Sequence, residues 1–318
     1  MADLADLSGT VPVALECDRA IFTSLPSNIG EGYRLVAWSG GLKLEERQEL
    51  TRRAPSHGSL VGESGRATML FHLQSSGRAA WGFVRVAGAE HTRRGGGRVW
   101  TDFLLADAGD ARREGPAPAL LRDALAASVL PKPPLGSSPL AKVGVARGQA
   151  PAPAKSARIE SVARVASLLF EGRTCVVAAG GAPVEVFEQA LRLLPACLRE
   201  RVDACAGLRF SPARGVKTTL TDRIDQDTLR ATRGQKVECV DLEKSAPALE
   251  GPLAPWWTLV LRWWNEGRGD EATSVADRLT GGWNLREILD VAALCESIDR
   301  REFKPDALAA RLARHSVS

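Results

Sequence analysis

The stretch "ATMLFHLQSSGRAAWGFVRVAG", residues 67–88, decides the fold of the first half of the chain. Two apolar runs, 67–74 and 79–88, flank the short break Ser75-Ser76-Gly77-Arg78. Gly supplies the positive φ that a tight reversal needs, so the pattern predicts strand, turn, strand, paired antiparallel. A third candidate strand, "RVWTDFLLAD" (98–107), follows the Gly-rich break "EHTRRGGG" and extends the meander.

Working upstream, "EGYRLVAWSGGL" (31–42) holds a short buried strand, "RLVAW", ended by Ser39-Gly40-Gly41. It lacks the Gly-x4-Gly-Lys-Ser/Thr spacing of a phosphate loop, and no glycine stands two residues before Ser39 as a nucleophile elbow requires. "LKLEERQELTRRA" then places Leu42, Leu50 and Ala54 at helical spacing with charges elsewhere. Residues 1–130 are therefore expected to form an α+β domain, mainly antiparallel strands with an inserted helix. Downstream, 131–157 is rich in Pro, Gly, Ala and Ser, contains no acidic residue, and carries Lys132, Lys142, Arg147 and Lys155. Such composition predicts a sparsely contacted basic linker. Helical and strand periods alternate over 158–250, predicting an α/β middle domain with some parallel pairing. Residues 251–318 read as a small all-helical region, with Asn284 and Glu287 spaced as a capping box.

A chain of 318 residues has room for more than one core. Its 44% apolar and 25% charged content is that of a soluble globular protein, and a net charge of +4 implies no strong attraction to nucleic acid or membrane. The 6 cysteines are scattered, mostly in apolar stretches, as reduced core thiols are. "MADLADLSGT" lacks the positive n-region of a secretion signal, and no apolar run is long enough to span a bilayer. A cytoplasmic location is expected.

Candidate chemistry is sparse. His57, His72, His91 and His315 begin no metal-type spacing, and CxxC, CxxH and HExxH are absent, so no metal or cofactor is expected. "RRGGGR" (93–98) resembles an anion nest, but no helix follows, and a mobile hairpin tip accounts for it better. Ser56 and His57 adjoin in "APSHGSL", a weak hydrolase signal, because catalytic Ser and His normally meet through the fold. Arg199, Arg201, Arg209 and Arg214 crowd the segment 193–215, either as partners for an acidic group or as stems covering core elements. In "PWWTLVLRWW", Trp256, Trp257, Trp263 and Trp264 make an unusually wide apolar stripe. Trp263 is expected in the core, with Trp256 or Trp257 partly exposed for a partner.

Three segments in order, "AIFTSLPSNIGEGYRLVAWSGGLKLEERQELTRRAPSHGSL", "GGRVWTDFLLAD" and "VFEQALRLLPACLRERVDACAGLRF", resemble the bacterial GTPase-associated protein family. The resemblance covers about the first three quarters of the chain. Gly32-Tyr33 and Thr101-Asp102 stand where histidines are common in that family. It implies a non-enzymatic adaptor for a GTPase in a bacterial signalling or conflict system, with no catalytic residues to carry over; a further departure is an expected short helical tail in place of a long effector region. The expected partner-binding residues are Trp256, Trp257, Arg199, Arg201, Arg209, Tyr33 and Arg34. The alternatives are a hydrolase using Ser56-His57 or a cysteine, and a weak nucleic-acid binder acting through the basic linker.

Overall fold

The computed structural model describes residues 13–25, 32–62, 64–90, 96–128, 139–146, 158–244 and 249–301. Strands β1 (Val13–Ser24) and β2 (Tyr33–Trp38) precede helix α1 (Leu44–Arg53), and β3 (Arg66–His72), β4 (Ala79–Ala89) and β5 (Gly97–Ala106) follow it. β3 and β4 pair antiparallel with Arg66 opposite Arg85 and His72 opposite Ala79. Gly77, at φ +71°, makes the reversal between them. β4 and β5 form the next antiparallel pair, as the apolar runs predict.

Sequence reading does not anticipate β1 as a long strand, because Glu16, Asp18 and Arg19 interrupt its apolar pattern. The fold pairs two of those charges. Asp18 accepts from Arg78 Nη2 at 2.7 Å, and Arg19 meets Asp102 at 2.6 Å. β1 is thus flanked by β5 along 18–23, by β2 along 20–24, and by β6 (Val143–Ala146) along 13–17. β6 is preceded by α2 (Ala108–Glu114) and α3 (Pro118–Ala127).

β6 corrects one expectation. Residues 139–146 lie inside the segment read as a linker, yet Leu140, Val143 and Val145 are buried. Val143 and Val145 alternate with exposed Gly144 and Ala146, a half-buried strand concealed by an overall Pro/Ala composition. The rest of that linker, 131–138 and 147–157, lies outside the described residues.

The chain continues through α4 (Ile159–Glu171), β7 (Cys175–Ala178), α5 (Pro183–Leu193), α6 (Ala196–Arg199), β8 (Ala204–Ala206), β9 (Thr218–Thr221), α7 (Gln226–Thr232) and β10 (Glu238–Asp241). β7, β8, β9 and β10 pair parallel among themselves, and β8 pairs antiparallel with β3. That seam joins everything into one mostly antiparallel sheet of order β10-β7-β9-β8-β3-β4-β5-β1-β2. One apolar cluster runs from Leu15 on β1 through α4 and α5 to Ala292. The opposite face of the sheet packs Met69, Phe71 and Phe103 under Leu50 of α1.

Helices α8 (Ala254–Asn265), α9 (Gly269–Arg278) and α10 (Leu285–Asp299) end the described chain. The Asn284 capping box is present: Asn284 N–H donates to Glu287, and Glu287 N–H donates to Asn284 Oδ1. Trp263 is buried as expected, but Trp256 and Trp257 are both 0% exposed, which corrects the expectation of a partly exposed tryptophan there. α4, α9 and α10 all pack against α8, and Trp256 Nε1 donates to the Leu193 carbonyl at the end of α5. That leaves neither ring a free face, and Trp264 is the half-buried one.

Candidate functional site

Strand alternation sends Arg66 and Thr68 of β3, Phe83 and Arg85 of β4, Trp100 and Asp102 of β5, and Arg19 of β1 to the same sheet face. Next to the apolar part of that face, α3 and α5 stand off the strands. Between them lies a cleft of about 430 Å³, lined also by Arg122, Leu125, Ser128, Val184, Glu185 and Glu188.

At its base Arg19 donates from Nε and Nη2 to Asp102 Oδ1, at 3.2 and 2.6 Å, and from Nη1 to Ser128 Oγ at 2.7 Å. Trp100 Nε1 donates to the other Asp102 oxygen at 2.9 Å. Both ions are buried, and their donors and acceptors are largely matched, the condition under which a buried pair is tolerated. On the helical side Glu188 accepts from Arg122 and, at 2.7 Å, from Thr68 Oγ1. Burial first, and the neighbouring Arg66 cation second, push the Arg122 guanidinium below its ordinary range.

Higher in the cleft the charges do not match. Arg85 lies over the Trp100 ring at 5.3 Å and only 4.0 Å from Asp102. Among the described residues no hydrogen bond or ion pair engages Arg66, and Glu185 is the one lining carboxylate not already paired. Arg66 and Arg85 also stand directly opposite each other on β3 and β4, where like charges destabilise a sheet. This arrangement presents guanidinium donors to an anion. Of its polar residues, sequence reading mentions only Asp102. The available signal is the pair of arginines at the turn-distal ends of the first hairpin, Arg66 and Arg85.

The sequence-predicted residues fall elsewhere. Arg199 is interior and fully engaged: it donates to the carbonyls of Leu191, Arg192, Leu194 and Gly115 and to Asp277 at 2.5 Å. It closes the C-terminal end of α5, the unsatisfied end of any helix, which corrects its assignment to a partner surface. Burial, only partly opposed by Asp277, pushes its guanidinium down. Trp256 and Trp257 are likewise enclosed. Arg201 and Arg209 are exposed on another part of the surface. Tyr33 is half-buried, stacks on Phe22, donates to Glu90 and accepts from the Val99 N–H. Burial and the Glu90 bond push its hydroxyl up to about 12. Arg34 is half-buried beside it on β2.

Ser56 and His57 lie in the loop after α1, with no hydrogen bond between their side chains; the Ser56 N–H donates to Ser59 Oγ. Burial pushes the Cys17 thiol up to about 12 and that of Cys175 to about 11, and it raises Cys197, Cys205 and Cys295, so these sulfurs are poor nucleophiles. Lys142 of the basic segment is tied to Glu16 at 2.8 Å. Among the described residues, no helix is long and apolar enough to cross a membrane.

Residues 17–139 match the family described as GTPase-associated protein 1, N-terminal domain type 2. The matched segment spans most of β1 through α3 and includes Arg19, Arg66, Arg85, Asp102 and Arg122 of the cleft. No curated protein and no solved structure matches the chain.

Proposed function

We propose, from the match of residues 17–139 to a GTPase-associated protein family, that the chain is a non-enzymatic adaptor that binds a GTPase. Its setting is the cytoplasm of a bacterium, in a signalling or conflict system. The family match is the observation that carries this reading.

Arg209 and Arg201 are its best protein-facing contacts. The Arg209 N–H donates to the Ser59 carbonyl and its own carbonyl accepts from Arg214 Nη1, both at 2.8 Å, while its side chain is exposed. A guanidinium on a backbone fixed at both ends loses little freedom on docking. The Arg201 side chain is 53% exposed, with Glu200 3.7 Å away. Tyr33 and Arg34 on β2 extend the candidate surface, whereas Arg199, Trp256 and Trp257 belong to the interior.

Capture of a GTPase found encoded beside this chain, loaded in turn with GDP and a non-hydrolysable GTP analogue, tests the reading, and a gene neighbourhood without any GTPase counts against it. A complex is expected with a preference for one nucleotide state. Reversing both charges, Arg201→Glu with Arg209→Glu, should weaken it about ten-fold or more, as losing two interface arginines does, without changing the melting temperature. Absence of a complex in either nucleotide state overturns the adaptor reading.

A further inference from the structure

The cleft under α3 and α5 goes beyond that reading, since it is separate from Arg201 and Arg209. Its base is closed by the Arg19–Asp102 ion pair, while Arg122, at its side, engages Glu188 through Nη2. The upper half leaves Arg66 without a partner among the described residues and Arg85 at the 4.0 Å limit of one, the two directly opposite across a strand pair. Opposed like charges cost stability, and a third guanidinium, Arg122, lines the same cleft from α3. An anion between them would relieve all of these costs together.

We infer that the cleft binds an organic phosphate, its phosphate group held by Arg66, Arg85 and Arg122 and its carbon part lying along Phe83, Leu125 and Val184. Donors arriving from β3, β4 and α3 suit a tetrahedral group with three terminal oxygens better than a planar carboxylate with two. Arg85 and Arg122 are already steadied by ring faces, Trp100 at 5.3 Å and Phe83 at 5.4 Å. That stacking limits the freedom they lose on binding. The volume, about 430 Å³, exceeds what a phosphate alone fills and lies in the range of small-molecule sites. The apolar wall of Phe83, Leu125 and Val184 gives the remainder of the ligand a surface to cover.

Calorimetric titration of the full chain with phenyl phosphate, inorganic phosphate and benzoate tests this. Phenyl phosphate should bind more tightly than either of the others, which lack the ring or the phosphate. Arg66→Gln and Arg85→Gln should each weaken it about ten-fold or more, the loss of a charge-assisted hydrogen bond. Glu185→Gln, which removes the unpaired carboxylate of the cleft, should tighten it, a gain that misfolding cannot mimic. No saturable binding of phenyl phosphate, benzoate binding equally well, or an affinity unmoved by all three substitutions overturns the inference.

Discussion

Glu49 shows at the scale of one residue how this fold uses charge inside. The helix pattern of α1 places Glu46, Glu49 and Arg53 among its charged positions, yet all three are buried. Glu49 Oε1 accepts from the Gln74 N–H at 3.0 Å and from Arg53 Nε at 3.1 Å, and Oε2 accepts from the N–H and the hydroxyl of Ser75, each at 3.1 Å. One carboxylate thereby clamps α1 to the turn between β3 and β4. Burial alone would raise its pKa, but these hydrogen bonds and Arg53 together outweigh it and hold the carboxyl below the ordinary value. A depressed folded-state pKa stabilises above the unfolded-state value of roughly 4.3, and the contribution is lost as pH falls through the folded value. The melting temperature of Glu49→Gln should accordingly lie below that of the native chain near neutrality. Below about pH 4.3 the two curves should converge. Parallel curves through the acid range would mean that the clamp does not depend on ionisation.

Among elements, α8 carries the largest expected cost. Trp256 is fully buried, with its indole N–H on the Leu193 carbonyl, so Trp256→Ala removes a ring and leaves an acceptor at the end of α5 unpaired. Equilibrium unfolding in urea should show a loss of about 3–5 kcal/mol, whereas Trp264→Ala, half-buried, should cost distinctly less. What the sequence disclosed follows the same physics. The 67–107 meander, α4, α5 and the Asn284 cap were legible because their apolar periods or cap spacings are local and unbroken. β1 was hidden by Asp18 and Arg19, whose partners Arg78 and Asp102 are distant in the chain. β9 was hidden because it reads Thr-Thr-Leu-Thr, and two of its hydroxyls find distant partners in the fold, Thr218 the Arg173 carbonyl and Thr219 the Cys205 sulfur. The cleft was illegible for a related reason. Arginines scattered over four elements, Arg19, Arg66, Arg85 and Arg122, show no spacing until the fold brings them together.

For the whole molecule, the governing feature is the pairing of β3 with β8, with Thr68 opposite Ala206 and Leu70 opposite Ala204. It carries one sheet from the N-terminal strands into the parallel ones, and Leu70, Trp81 and Phe83 share a core with Phe187 and Leu191 of α5. A fragment comprising residues 1–130 would bare both that strand edge and that apolar face. It should therefore be insoluble or lack a cooperative thermal transition, while the full chain melts in one step; a soluble fragment with its own sharp transition would show that the N-terminal strands form an independent unit. The seam also bears on how such proteins diversify. The family segment ends at residue 139, but the strand that covers β3 lies beyond it, at Ala204–Ala206. Any genetic exchange that joins the N-terminal segment to a new downstream sequence must deliver a replacement strand or a blocked edge at the same place, because a bare edge recruits other chains into aggregates. The seam thus acts as a compatibility requirement on recombination, admitting as C-terminal halves only those sequences that bring their own strand.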